Sequence, residues 1–291
     1  MRKIKQTLIP SVNFHLWEPC NMRCKFCFAT FQDVKSSILP KGHLPKSEAI
    51  KIIDELANAG FSKITFVGGE PTLCPWIGDL IARAKNNGLT TMIVTNGSGL
   101  NDRFFKEVDG FLDWVVISID SIVSELNILS GRHQGNKLVP DENYYREKVA
   151  LVSKWKVKLK INSVINTANI DDFTLTPFIV SLKPQRWKLF QTLRVLGQND
   201  SQFNQIAISE HTFNEFIRIN NIDKISFAVV ENNKAMTGTY LMVDPAGRFF
   251  DNTKGYHTYS RPILKTGVKI ALNDISFSYS DFINREGVYT W

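Results

Sequence analysis

Long apolar runs are missing from this sequence. None of its 291 residues lies in a stretch of about 18 consecutive apolar residues, the length that a transmembrane helix requires. The first ten residues interleave charged and apolar side chains, so they contain no apolar core of the kind found in signal peptides. These absences predict a soluble, cytoplasmic protein without a membrane partner.

Cysteine is also scarce, with four residues in the whole chain. Three of them, Cys20, Cys24 and Cys27, fall within eight residues, whereas a secreted disulfide framework would spread its cysteines along the chain. The cluster therefore indicates metal binding in a reducing compartment. Cys74 stands alone and is interpreted as a small, partly buried residue. No further cysteines are available for an auxiliary iron–sulfur cluster.

Acidic residues are fewer than basic ones, 28 against 35, which gives a formal net charge of +7. Such an excess suits a nucleic-acid surface, an anionic membrane or a small polyanionic substrate. The sequence has no dense Lys/Arg block of the kind that forms a nucleic-acid-binding arm. Most of the basic residues fit an ordinary solvated surface, and we expect no nucleic-acid partner.

Short apolar strands alternate with amphipathic helices through the first two thirds of the chain. The pattern predicts strands at residues 11–17, 63–67, 91–96, 114–120, 158–165 and 186–195, and helices at 47–58, 76–87, 143–155 and 171–182. Strands joined by helical crossovers pair in parallel. About six units predict an α/β fold, a partial (β/α)6 barrel, because a complete eight-fold barrel needs more repeats.

The remainder of the chain is less regular. A helix is predicted at residues 209–219 and strands at 224–230 and 239–244, followed by a turn at 245–248 that favours an antiparallel addition. We find no internal repeat, low-complexity tract or long linker. The prediction is a barrel over residues 1–200 and a C-terminal α/β extension over residues 201–291 that completes the same domain.

The three clustered cysteines have the spacing C-x3-C-x2-C. Soft thiolates suit iron–sulfur chemistry. A four-iron cubane normally takes four thiolates, so three leave one iron free to bind a small chelating ligand. The alternative is a zinc site completed by His15, because structural zinc takes four N or S ligands. A zinc finger, however, does not usually follow the first strand of a repeated β/α pattern.

Alternate residues of a strand face opposite sides of a sheet. If the apolar faces meet the outer helices, the polar faces look into the barrel and collect Asn13, His15, Lys63, Lys160, Asn162, Arg186 and Lys188 there. Several buried cations with few carboxylates would be costly, and an anionic ligand removes that cost. Lys and Arg suit phosphate. The alternative is that some of these side chains lie at exposed strand ends.

The cysteine spacing resembles the signature of the radical S-adenosylmethionine (radical SAM) superfamily. A second feature supports it: Gly68, Gly69, Glu70 and Pro71 follow the second predicted strand, where the superfamily has its GGE motif. The resemblance implies a 4Fe-4S cluster on Cys20, Cys24 and Cys27, with S-adenosyl-L-methionine bound to it. The GGE motif would hold the amino group of the methionine part.

Longer segments resemble the viperin family over nearly the whole chain, and its prokaryotic members most closely. They are residues 11–15, 131–135, 160–166, 186–191 and 289–291. The resemblance implies that S-adenosylmethionine contacts Phe26, Gly68, Gly69, Glu70, Asn96, Ser118, Arg132 and Asn162. It implies that a nucleoside triphosphate contacts Asn13, Lys63, Lys160, Arg186, Lys188 and Tyr240.

By this resemblance the protein is a nucleotide dehydratase used in antiviral, here anti-phage, defence. The substrate would be a ribonucleoside triphosphate (CTP, UTP or GTP), converted to its 3′-deoxy-3′,4′-didehydro form, an RNA chain terminator. A 5′-deoxyadenosyl radical would take the ribose 4′ hydrogen, after which the 3′ hydroxyl leaves as water. The general acid is unassigned, with the nearby lysines as candidates. An external one-electron donor such as a flavodoxin or ferredoxin and a monomeric enzyme are expected.

The sequence departs from the animal members of the family in two places. They carry an N-terminal amphipathic membrane helix, and this chain begins almost at the predicted barrel, so no membrane role is carried over. Val67 stands where the animal pattern has Ser. Two alternatives remain: a radical SAM enzyme acting on another phosphorylated substrate, and a zinc-containing nucleic-acid-binding module. We also expect the C-terminal residues 287–291 to close over the open side of the barrel.

Overall fold

One sheet of ten strands contains every strand that the structure describes. The computed structural model describes residues 9–291. Its strands are β1 (Ser11–Trp17), β2 (Lys63–Gly68), β3 (Thr90–Thr95), β4 (Trp114–Ser118), β5 (Lys158–Ile165), β6 (Arg186–Gln191), β7 (Ala228–Glu231), β8 (Met242–Val243), β9 (Arg248–Asp251) and β10 (Thr258–Pro262). Their order in the sheet is β10-β9-β8-β1-β2-β3-β4-β5-β6-β7.

Helices connect the strands and cover one side of the sheet. They are α1 (Gln32–Ser37), α2 (Lys46–Asn58), α3 (Ile77–Asn86), α4 (Asp102–Glu107), α5 (Ser124–Ser130), α6 (Glu142–Lys154), α7 (Leu175–Leu182), α8 (Asp200–Phe203), α9 (Glu210–Ile219), α10 (Asn233–Met236), α11 (Ile263–Thr266), α12 (Val268–Leu272) and α13 (Tyr279–Asn284). Within residues 9–291, no helix combines the length and the apolar character needed to cross a membrane.

Neighbouring strands from β1 to β7 pair in parallel, as expected for strands joined by helical crossovers. The two end strands of the sheet, β10 and β7, do not pair with each other, so the barrel stays open. Side chains from β1, β2, β5 and β6 nevertheless line one cavity, which requires the sheet to curl around it. The predicted α/β partial barrel is therefore confirmed.

The predicted alternation along the strands is also confirmed. Val12, Phe14 and Leu16 of β1 are buried in the main hydrophobic core, which includes apolar residues of helices α2, α3, α6 and α7. Trp187 and Leu189 of β6 lie in the same core. On both strands, the residues that alternate with these core residues point to the other face of the sheet. The outer helices therefore cover the apolar face and leave the polar face for the cavity.

The structure differs from the prediction mainly after residue 165. Helix α7 begins at Leu175 rather than at residue 171. The Asp172 side chain accepts hydrogen bonds from the Thr174 amide and hydroxyl, just before the helix, and from the Ser121 hydroxyl in the loop after β4. Strand β6 ends at Gln191, and β7 covers only the end of the strand predicted at 224–230. The turn before Arg248 joins β8 and β9 antiparallel, as expected, whereas β7 adds a seventh strand parallel to β6.

Candidate active site

The polar face of the curled sheet encloses a cavity of about 520 Å³. Its lining includes nearly all of the residues predicted to bind metal, cofactor or substrate: Cys20, Cys24, Cys27, Phe26, Gly68, Gly69, Glu70, Asn96, Ser118, Arg132, Asn162, Asn13, Lys63, Lys160, Lys188 and Tyr240. Arg186 is buried beside this lining and contacts Tyr289, which does line the cavity. The structure thus brings the predicted set together, although their individual roles stay predictions.

The three clustered cysteines lie in the loop between β1 and α1, at the carboxyl end of β1. None forms a disulfide, and all three are half-buried at the cavity. Burial raises the pKa of each thiol to about 11. A buried thiolate needs a positive partner, and an iron ion provides one. The donor set therefore fits a cluster that neutralises all three sulfurs.

Zinc fits this arrangement less well. In residues 9–291, no group of three or more His, Cys, Asp or Glu side chains is placed to hold one metal ion. In a cubane each thiolate binds a different iron, so the sulfurs need not converge on a single point. His15 does not complete such a group, because its ring packs edge-on against the rings of Phe31 and Phe250. Cys74, expected to be partly buried, is fully buried in the hydrophobic core.

The two glycines after β2 let the chain pass unusually close to the cysteine loop. A Cβ atom on Gly69 would lie 2.1 Å from the Glu18 carbonyl oxygen, and one on Gly68 would lie 2.3 Å from that of Trp17. The Gly69 amide donates to Trp17 O at 2.5 Å. Only glycine permits this approach, so the motif has a steric reason independent of any ligand.

Glu70 is fully buried at the start of the 3₁₀ helix Pro71–Leu73. Its carboxylate accepts hydrogen bonds from the Thr72 amide at 3.0 Å, the Thr95 hydroxyl at 2.7 Å and the Asn96 amide at 2.7 Å. Burial raises the pKa of this carboxyl group. Glu70 therefore fixes the carboxyl end of β3 against the GGE turn, besides lining the cavity.

Arg132 and Asp120 form a buried ion pair behind the cysteine loop. The Arg132 guanidinium also lies 5.5 Å from the centre of the Phe26 ring. On the same wall, Ser118 of β4 lines the cavity beside Asn162 of β5. The Asn162 Oδ1 atom is buried and has no hydrogen-bond partner within the described chain, so it can accept a hydrogen bond from a ligand.

Lys63, Lys160, Arg186 and Lys188 are all at least nine-tenths buried. The Tyr289 ring centre is 4.7 Å from Lys63 Nζ, 5.9 Å from Lys160 Nζ and 4.3 Å from Arg186 Cζ. Three of the four cations therefore surround one aromatic ring. Burial, together with the charge of Lys188, holds the pKa of both Lys63 and Lys160 well below its usual value.

The C-terminal residues pack into this cation cluster. The Lys63 Nζ atom lies 3.3 Å from the Tyr289 hydroxyl and 4.3 Å from the centre of the Trp291 ring. Cations bind the faces of aromatic rings, and the rings here cover positive charge that water would otherwise solvate. The tail thus reaches the predicted phosphate site, and its response to a nucleotide stays a prediction.

Two site residues, Glu231 and Arg285, were missed by the sequence analysis. Glu231 ends β7, accepts hydrogen bonds from Lys188 and Tyr240, and forms an ion pair with Arg285. A polar residue at the carboxyl end of a parallel strand was the available signal for Glu231. Arg285 follows α13, in a segment whose sequence has no strand alternation, so no pattern placed it at the cavity.

Three thiols, a glycine turn and a cavity at the carboxyl ends of parallel strands define a radical SAM enzyme. The radical SAM superfamily profile matches residues 17–141 of the chain. A solved structure described as "Native anSMEcpe with bound AdoMet" superposes with a TM-score of 0.70 over 91% of this chain and 80% of that one. At 16% sequence identity, this likeness shows the fold alone.

Sequence relatives define the family more narrowly. An S-adenosylmethionine-dependent nucleotide dehydratase of Flammeovirga pacifica is 52% identical over 98% of this chain and 97% of its own length. The Danio rerio S-adenosylmethionine-dependent nucleotide dehydratase RSAD2 is 36% identical over 97% of this chain and 78% of its own. The chain belongs to this viperin-like family of S-adenosylmethionine-dependent nucleotide dehydratases. It is a radical SAM dehydratase that uses a 4Fe-4S cluster and S-adenosylmethionine.

Proposed function

We propose that the substrate is a ribonucleoside triphosphate, CTP, UTP or GTP, and that the product is its 3′-deoxy-3′,4′-didehydro form. One observation carries the proposal. Lys63 and Lys160 are buried at the cavity, and neither forms an ion pair with a carboxylate of the described chain. An unpaired buried charge is costly unless a ligand of opposite charge compensates it. A polyphosphate supplies several negative charges in one molecule.

The residues divide the cavity into two regions. Cys20, Cys24 and Cys27 would hold the 4Fe-4S cluster, which would supply the electron that cleaves S-adenosylmethionine to methionine and a carbon radical. Asn96, Ser118, Arg132 and Asn162, with the GGE turn, would hold S-adenosylmethionine beside it. Asn13, Lys63, Lys160, Arg186, Lys188 and Tyr240 would hold the triphosphate.

With this division, the ribose would lie between the phosphate-binding cations and the cysteine loop. Fixing both ligands in one cavity orients the 4′ hydrogen toward the radical and keeps water away from it. Departure of the 3′ hydroxyl as water needs one proton and one electron. One of the cavity lysines would give the proton, and burial lowers the pKa of Lys188, one of these candidates, to about 8. A donor with a pKa near the working pH transfers its proton most effectively.

The physiological setting follows from the same reaction. The product lacks a 3′ hydroxyl, so it terminates RNA synthesis and serves antiviral defence in the cytoplasm. An external one-electron donor such as a flavodoxin or ferredoxin would supply the electrons. We propose that the enzyme works as a monomer, because one chain brings together every predicted ligand of the cluster, cofactor and nucleotide.

An anaerobic assay with a reductant tests the proposal directly. The reconstituted protein is incubated with S-adenosylmethionine and each of ATP, CTP, GTP and UTP, and the products are identified by mass. The expected result is loss of one water from a triphosphate, with one 5′-deoxyadenosine formed per product. Equal turnover of the corresponding monophosphate would contradict the role of the cations, and product from none of the nucleotides would overturn the proposal.

A further inference from the structure

Glu231 is a fully buried carboxylate that has no part in the reaction outlined above. It ends β7 and accepts hydrogen bonds from three different parts of the chain. Lys188 Nζ, on β6, donates one of these bonds, and the Tyr240 hydroxyl, in the segment before β8, donates another. Arg285 Nη1, in the segment after α13, donates the third, at a distance of 3.1 Å. One carboxylate therefore joins three groups whose side chains reach the cavity.

We propose that Glu231 is a positioning residue for polyphosphate binding, which keeps Lys188 charged and aimed at the bound phosphate and holds Tyr240 beside it. This inference rests on the proposed function, since it concerns the same cavity. Glu231 need not touch the nucleotide. It acts through Lys188, whose Nζ atom also lies 3.4 Å from the Tyr240 hydroxyl.

The electrostatic surroundings of Lys188 make a carboxylate necessary. The other charged or titratable groups that face it or its neighbours are Lys63, Lys160, Arg186, Arg285, Tyr240, Tyr289 and Glu286. Glu286 is 65% exposed and contacts Arg186, so its charge is screened by water. Glu231 is thus the buried acid within this group. Burial lowers the pKa of Lys188 to about 8 despite the opposing effect of Glu231.

Glu231 itself is ionised over the whole neutral range. Burial alone would raise its pKa, but Lys188 and Arg285 lower it to about 2. Removing its charge therefore withdraws a favourable interaction from protonated Lys188. The amine then loses its proton at a lower pH, and a neutral amine binds phosphate more weakly than an ammonium group does.

Through its contact with Arg285, Glu231 also positions the start of the C-terminal tail. The Arg285 guanidinium lies 3.7 Å from the centre of the Tyr240 ring, and its Nη2 atom donates to the Thr239 carbonyl oxygen at 3.0 Å. Arg285 immediately precedes residues 286–291. Glu231 therefore fixes the point from which the tail enters the cation cluster, together with the Tyr240 side chain.

The test compares parent and Glu231→Gln in the binding of inorganic tripolyphosphate between about pH 6 and pH 9, a range that brackets the Lys188 titration. Comparing the two proteins at each pH cancels the titration of the ligand. The expected loss of affinity is small at the acidic end and about tenfold or more at the alkaline end, the value of one charge-assisted contact. Tighter binding by Glu231→Gln at every pH would overturn the proposal.

A matched background isolates the effect on Lys188. Arginine keeps its charge throughout this pH range, so the loss caused by Glu231→Gln should change much less with pH in a Lys188→Arg protein than in the parent. The remaining pH dependence comes from Lys160, whose pKa Glu231 also raises. A pH-independent loss in both backgrounds would mean that Glu231 has only a structural role, and would overturn the inference. If the Gln variant fails to fold, Glu231→Asp replaces it, because it keeps a carboxylate in the buried site. Its pH-dependent loss of tripolyphosphate affinity should have the same direction as that of Glu231→Gln and be smaller.

Tripolyphosphate binding separates this inference from the proposed function. A protein that dehydrates no nucleotide, yet shows the pH-dependent loss in Glu231→Gln, would refute the proposed substrate and leave the positioning role intact. Dehydration of a triphosphate by the parent, with an unchanged pH profile in Glu231→Gln, would refute the positioning role alone.

Discussion

The Arg132 guanidinium pairs with the Asp120 carboxylate directly behind the Cys24 thiol. Both side chains are almost completely buried, and Asp120 also accepts a hydrogen bond from the Val164 amide at 2.8 Å. The positive charge of Arg132 opposes the effect of burial on the Cys24 pKa. Arg132 therefore supports the cysteine loop electrostatically, and Asp120, which a residue of β5 holds in place, fixes the position of Arg132.

Asp120→Asn should destabilise the protein strongly, because it leaves the Arg132 charge buried without a counterion. Breaking a buried pair in this way costs about 3–5 kcal/mol. Chemical denaturation of the protein measures the change in the free energy of unfolding. Glu142→Gln, which breaks the half-exposed pair with Arg146, is the control and should change stability little. Equal effects of the two substitutions would contradict the role assigned to the buried pair.

Cys24→Ala should abolish cluster binding, since two thiolates hold a cubane poorly. The measurement is iron content after anaerobic reconstitution, with absorbance near about 400 nm from thiolate-bound iron. Cys74→Ala is the matched control, because Cys74 is buried in the core away from the cysteine loop. It should keep the parent's iron content and lose some stability. Full iron content in Cys24→Ala would contradict the assignment of Cys24 as a ligand of the cluster.

Lys160→Ala should weaken triphosphate binding by roughly 1.5–3 kcal/mol, the value of one charge-assisted contact. Lys158→Ala is a matched control on the same strand, because Lys158 is exposed at the start of β5. Binding of CTP, GTP and UTP is measured by calorimetry, alongside binding of S-adenosylmethionine, which should change less. Equal losses of triphosphate affinity in the two variants would place the phosphate elsewhere.

Triphosphate binding should take up protons at mildly alkaline pH. In the free protein the pKa of Lys160 and that of Lys63 are well below their usual values, so these amines are partly neutral there. A bound polyanion favours the charged form and raises both pKa values. Calorimetry in buffers of different ionisation enthalpy measures the uptake, which should shrink in Lys160→Ala. Proton release on binding would contradict the prediction.

Truncation after Gly287 should leave the cluster intact but uncouple cleavage of S-adenosylmethionine from dehydration of the nucleotide. The removed residues include Tyr289 and Trp291, whose rings cover the Lys63 ammonium group. Without them, water reaches the site more readily, and 5′-deoxyadenosine should form in excess over nucleotide product. The ratio of the two products measures the coupling. A ratio of one in the truncated enzyme would show that the tail does not shield the site.

Strand alternation predicted which lysines enter the cavity, because a two-residue period fixes the face of each side chain. Lys63, Lys160 and Lys188 follow it, with Ile64 and Trp187 on the opposite face. The same reasoning could not find Arg285, which lies after a short helix and reaches Glu231 across a large separation in sequence. Such contacts depend on tertiary packing.

The sequence did not predict the parallel orientation of β7 for a similar reason. Its four residues, Ala228–Glu231, are too few for a clear period, and the 3₁₀ helix Ile222–Lys224 occupies the start of the predicted strand. The crossover through α8 and α9 sets the orientation of the strand. The sequence predicts α9, at residues 209–219, but not α8, which has only four residues.

The unpaired lysines of the cavity also link the amount of folded enzyme to the metabolic state of the cell. Lys63 and Lys160 place like charges in the interior of the ligand-free protein. A polyanion that fills the cavity relieves their repulsion, and by mass action it stabilises the folded chain by an amount that grows with the logarithm of its concentration. If that polyanion is the proposed nucleotide, a fall in its supply should leave more of the protein unfolded and open to cellular proteases. The substrate would then govern how long each catalyst molecule survives as well as how fast it works.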